Sequence, residues 1–122
     1  MAATWTLLDS ANDIHTAGFT AGPSDVGLAE QGDGIAPFRV RFRRKRGGQS
    51  EGVDCVEIDN GVCRIDLLPT RGMGIHRAEA GSVRLGWQSP VQGPVHPKLV
   101  PIMEPSGLGW LFGFDELLCR CG

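Results

Sequence analysis

The chain has 122 residues, with 12 basic and 14 acidic side chains and a formal net charge of −2. That balance gives no global field to draw it to nucleic acid or an anionic membrane, and no segment approaches the roughly 20 apolar residues of a membrane span. With 18 glycines and 8 prolines in a chain that is 41% hydrophobic, the composition calls for many turns between short strands, so the expected class is all-β in a single domain over residues 1–122.

The opening segment, "MAATWTLLDSANDIH", has neither the basic n-region nor the apolar core of a signal peptide, which points to a cytoplasmic protein. One short strand is expected around "TWTLL", followed by mostly irregular chain as far as residue 37. From Phe38, "FRVRFRRKRGG" alternates Phe38, Val40 and Phe42 against Arg39, Arg41 and Arg43, the period of a half-buried strand. Its arginine face reads as a solvated surface rather than a nucleic-acid patch, because the total charge is balanced and no aromatic interleaves with the basic residues.

In "VEIDNGVCRI", Asn60-Gly61 between two alternating runs predicts a hairpin with a two-residue turn. Pairing outward sets Asp59 against Val62, Ile58 against Cys63, Glu57 against Arg64, Val56 against Ile65 and Cys55 against Asp66. Val56, Ile58, Cys63 and Ile65 then share a core face, with the Glu57–Arg64 charge pair on the other. Cys55 and Cys63 fall on opposite faces, which excludes a bridge or a joint metal site between them. Cys119 and Cys121 have no histidine partners nearby, so the cysteines read as thiols, with no metal and no cofactor expected.

"LLPTRGMGIH" begins as the end of a buried strand and stops at Pro69, which cannot donate to a ladder. The chain is expected to leave the sheet at Thr70-Arg71 and re-enter at Ile75, presenting Arg71 at the rim. There a guanidinium can bind vicinal hydroxyls, carboxylates or phosphates in bidentate fashion, or instead bond loop carbonyls. A second hairpin, "GIHRAEAGSVRLGW", turns at Gly81-Ser82 and pairs Ala80 with Val83, Glu79 with Arg84, Ala78 with Leu85 and His76 with Trp87. His76 reads as a buried, hydrogen-bonded histidine. The proline-rich run from Gln88 to Trp110 should be an irregular excursion, and "LFGFDELLCRCG" a strand or short helix.

Four motifs, "LLPTRGMGI", "LGWQSP", "GPVHP" and "GLGWLFGFDELLCRCG", in this order and spacing, resemble a bacterial family of aldose 1-epimerase-like proteins with the galactose mutarotase-like fold, from about Gly52 onward. The resemblance implies a β-supersandwich of antiparallel sheets, of which this chain would be the N-terminal part, with a sugar bound on a concave sheet. It makes Arg71 and His96 candidate sugar-site residues, with His96 as a possible acid. Trp87 and Trp110 could stack on a sugar face or serve the core. Relatives carry an acidic residue where this chain has Gly74, and their catalytic base and second histidine lie in a part that this chain lacks. Glu104, Asp115 and Glu116 match no catalytic position. The resulting expectation is a small-molecule sugar binder without complete catalytic machinery, with neither a nucleic-acid nor a membrane partner. The alternatives are an epimerase completed by oligomerisation, or a non-enzymatic module pairing through strand edges. A homo-oligomer is expected, because Phe112, Phe114, Leu117 and Leu118 have no following layer to cover them.

Overall fold

A computed structural model of the chain describes residues 3–28 and 37–119, so Cys121 lies outside the described residues. Two short strands, β1 (Leu8–Asp9) and β2 (Ile14–His15), pair with each other. The main sheet has six antiparallel strands in sequence order: β3 (Gly18–Ala21), β4 (Arg39–Arg44), β5 (Asp54–Asp59), β6 (Cys63–Leu68), β7 (Gly74–Ala80) and β8 (Val83–Leu85). The expected all-β antiparallel class is therefore what the chain adopts. Among the described residues no helix is long and apolar enough to cross a membrane.

Three local expectations are corrected. The strand expected at "TWTLL" reaches the ladder only at Leu8, and β3 lies in a stretch that reads as irregular. Its Phe19 pairs across from Phe42, and the Trp5 ring packs on Phe19 with centroids 5.3 Å apart. That strand owes its existence to a non-local aromatic contact rather than to its own Gly-Phe-Thr-Ala sequence.

The first hairpin is displaced by two residues from the expected pairing: Ile58 faces Ile65, Glu57 faces Asp66 and Asp59 faces Arg64. Asn60 N bonds to Cys63 O, and Asn60 Oδ1 accepts from the amides of Val62 and Cys63. The turn is therefore centred on Gly61-Val62, with Gly61 at φ 82°. An even displacement keeps every side chain on its expected face.

Burial does not separate the two faces as expected. Cys55, Glu57, Asp66 and Leu68, on the face expected to be solvated, are buried; on the expected core face Phe42 and Ala78 are buried but Ile58 is 39% exposed. The reason is the excursion after β8, which folds back toward the Cys55–Leu68 side, where Val53, Cys55 and Leu68 form a buried cluster. Pro94 and Val95 are buried, Ser50 Oγ donates to Pro94 O, and His96 N donates to Gln49 O. Arg64 Nη2 lies 2.7 Å from Glu57 Oε2 on that face, and on the opposite face at the strand ends Arg44 Nε lies 2.8 Å from Asp54 Oδ1.

The second hairpin follows its expected register from Ala78–Leu85 to Ala80–Val83. It stops there, because β8 ends at Leu85, so His76 and Trp87 are not ladder partners. Between β6 and β7 the register changes after the Asp66–Arg77 pair to Leu67–Ile75, which makes His76 the extra residue of a β-bulge. The run from Gln88 is irregular as expected, apart from single-turn 3-10 segments at Pro97–Leu99 and Gly109–Gly113. It returns to the sheet through one bridge, Ile75–Leu118.

Candidate functional site

The interruption after β6 is a 3-10 turn, Pro69–Arg71, closed by Gly72 N to Pro69 O and Met73 N to Leu68 O. Gly72 and Met73 both lie at left-handed φ, 65° and 60°. Pro69 fits the turn's first position because its fixed φ suits it and its missing N–H is not needed there. This geometry brings Arg71 back over the sheet end. Its side chain is 13% exposed, with Nε 2.7 Å from Glu116 Oε1 and Nη1 donating to Val95 O at 2.9 Å. Both contacts are within the protein itself, a side-chain carboxylate and a loop carbonyl, as the structural alternative left by the sequence would have it.

Glu116 is buried, and its backbone carbonyl accepts from Trp87 Nε1 at 3.2 Å. The Trp87 ring packs on Phe114 at 5.4 Å, and Trp110 meets Phe114 edge-on at 5.3 Å. Arg71, Trp87 and Trp110 are thus gathered around the segment from Trp110 to Glu116, and both tryptophans remain nearly half exposed. Gly113 permits the close approach, since a Cβ there would lie 3.1 Å from Arg71 Nη1. His96 stands apart. Its Nδ1 accepts from Lys98 N at the start of a 3-10 turn, and its ring lies against Gly52, so it joins the group only through its neighbour Val95. Gly74 is packed against Arg71 O, Leu118 O and the Glu116 side chain.

Two residues given no site role by the sequence complete the arrangement. His76 Nδ1 is 3.7 Å from Asp115 Oδ2, with side chains 14% and 4% exposed. Burial pushes the Asp115 carboxyl up to about 6, opposed by the nearby Arg71, and burial lowers the His76 pKa, reinforced by Lys45 and Arg77. His76, Arg77, Arg84, Trp87, Ser89 and Asp115 line a cleft of about 230 Å³. A larger hollow of about 780 Å³ lies between Val91, Leu108, Leu111 and Phe112. Its acid, Glu104, is already bonded to Ser106, so the chemistry concentrates in the smaller cleft. The bulge at His76 and the burial of Asp115 both depend on long-range packing; their only sequence trace is "GFDELL" following the excursion. Among the described residues no cluster of His, Cys, Asp and Glu is suited to a metal ion.

The fold resembles that of aldose 1-epimerase-like proteins. It matches a candidate aldose 1-epimerase from Klebsiella pneumoniae subsp. pneumoniae MGH 78578 with a TM-score of 0.83 at 30% identity, over 96% of this chain and 29% of that one. A family model described as a domain of unknown function (DUF4432) matches residues 50–122, and the chain belongs to that family. No curated protein matches it.

Proposed function

We propose that the chain binds an aldose, as the sugar-contacting part of an aldose 1-epimerase-like protein that lacks the full catalytic set within these residues. The observation that carries this reading is the structural match over nearly the whole chain to a candidate aldose 1-epimerase, of which this chain spans 29%. Trp87 and Trp110 supply two half-exposed rings beside the Arg71–Glu116 ion pair, apolar surface next to polar groups, the combination that suits a ring with one apolar face and a hydroxylated rim. His96 stands apart from this group, linked to it only through Val95, and is not assigned a direct sugar contact. No acid–base pair among the four flanks a common space, so mutarotation, which needs an acid and a base on either side of the sugar, is not assigned to these residues alone.

Proton NMR of a panel of aldoses tests the reading, with saturation transfer and anomer exchange followed together. Transfer that is weakened in Trp87→Ala, without accelerated exchange, is the expected result. Transfer to none of the sugars overturns the proposal, and faster anomer exchange replaces it with an active epimerase. The exposed apolar side chains favour one further reading, a homo-oligomer that covers Ile58, Val62, Val83 and Leu85.

A further inference from the structure

We propose that Asp115 and His76 form a hydroxyl-binding pair in the cleft between β7, β8 and the start of the excursion, taking one hydroxyl of a sugar ligand. This rests on the sugar-binding reading and assigns a part of the cleft that Arg71 does not reach. The Asp115 side chain is 4% exposed, yet neither of its oxygens has a hydrogen-bond partner among the described residues, and His76 Nδ1 lacks one too. Buried polar atoms without partners are costly and uncommon in folded proteins, and here three converge on one cleft.

The contrast with the next residue is informative. Glu116 is equally buried, but it closes its interaction with Arg71 at 2.7 Å, as a structural ion pair does. Asp115 and His76 stop at 3.7 Å. That separation is too long for a direct hydrogen bond and suits a third oxygen that donates to Oδ2 while accepting from a protonated Nδ1. The remaining walls fit a sugar as well. Arg84, Gln88 and Gln92 add polar side chains, and the Trp87 ring adds an apolar surface beside them. Ser89 is excluded from this set because its hydroxyl already donates to Phe114 O and accepts from Val91 N.

Gly93 leaves the room that Asp115 occupies, since a Cβ there would collide with the carboxylate. The charges facing the carboxyl are Arg71, Glu116 and Lys45; those facing the imidazole are Lys45, Arg77, Asp66 and Glu116. A hydroxyl donating to Asp115 favours the ionised carboxylate, so ligand affinity falls as pH drops below about 6 and the acid takes up its proton.

The test measures saturation-transfer affinities of the full chain for D-galactose, D-glucose and D-mannose between pH 5 and 8, in wild type, Asp115→Asn and His76→Gln. Asp115→Asn is expected to weaken binding about tenfold at pH 7.5 and to flatten the acid limb of the profile, a loss that a merely structural role would not produce. His76→Gln weakens binding while keeping that limb, and it carries the comparison if Asp115→Asn does not fold. Wild-type affinity and pH profile retained in both variants would overturn the pair and leave the sugar reading standing. If the wild type binds none of the three sugars, the sugar reading fails and the pair falls with it.

Discussion

Replacing Glu116 by glutamine would leave the Arg71 guanidinium, 13% exposed, without its counter-charge. Breaking a buried pair from one side costs about 3–5 kcal/mol, so chemical denaturation of Glu116→Gln should show a loss of that order. Asp115 behaves in the opposite sense. Its folded pKa is raised from 3.8 to about 6, so the folded state prefers the neutral acid. The stability tied to it is present at low pH and is lost as pH climbs through that window. Asp115→Asn, which cannot ionise, should therefore exceed wild type in stability at pH 8 by up to about 3 kcal/mol and equal it near pH 3. Equal melting temperatures at both pH values would show that the carboxyl is not held in a desolvated place. Gly93→Ala gives a geometric check, because the added methyl must displace the Asp115 side chain or the backbone. In the Gly93→Ala background the stability gain of Asp115→Asn at pH 8 should shrink or vanish.

The elements explain which of these residues could be read in advance. Arg71 stands out in the sequence because everything that shapes its turn is local: Pro69 before it, Gly72 after it, and the alternating run of β6 leading in. The second hairpin was equally legible, since Gly81-Ser82 admits one tight register. His76 was not, because a bulge is a disagreement between two strands and appears in neither alone. The first hairpin failed in the same way. Asn60 acts as an acceptor for two amides rather than as a turn centre, which moves the turn to Gly61-Val62. Gly61→Ala, at φ 82°, should cost about 1–2 kcal/mol in urea unfolding, whereas the same change at Gly18, whose φ is not left-handed and which has only a distant backbone neighbour, should cost less. The displaced register also puts Glu57 directly across from Asp66, with Arg64 reaching both at 2.7 and 3.6 Å. Arg64→Met therefore leaves two buried acids side by side.

At the scale of the whole molecule, the sheet has one face enclosing charges and another that buries Phe42, Ala21 and Ala78 but leaves apolar side chains at one end in solvent. Alternation told the two faces apart but not which would be covered, because burial was decided by where a proline-rich segment settles rather than by hydrophobicity along the strands. Ile58, Val83 and Leu85 remain exposed on one face, and light scattering is expected to find a dimer or larger species; a monomer across the micromolar range would leave those side chains bare and refute the homo-oligomer. The bridge between Ile75 and Leu118 has a different bearing. Its two hydrogen bonds, 2.9 and 3.0 Å, are the ladder contact by which the long return segment rejoins the sheet. Trp87, Asp115 and Glu116 all belong to that segment, whereas the hairpins close among themselves. Together with the Arg71–Glu116 ion pair and the bond from Ser50 to Pro94 O, those two bonds hold the segment on a frame of hairpins that closes without it. Hydrogen exchange should see this segment open before the frame, with the amides of Ile75 and Leu118 losing protection together while those of β5 and β6 keep theirs, so that the site is lost and regained without the sheet coming apart.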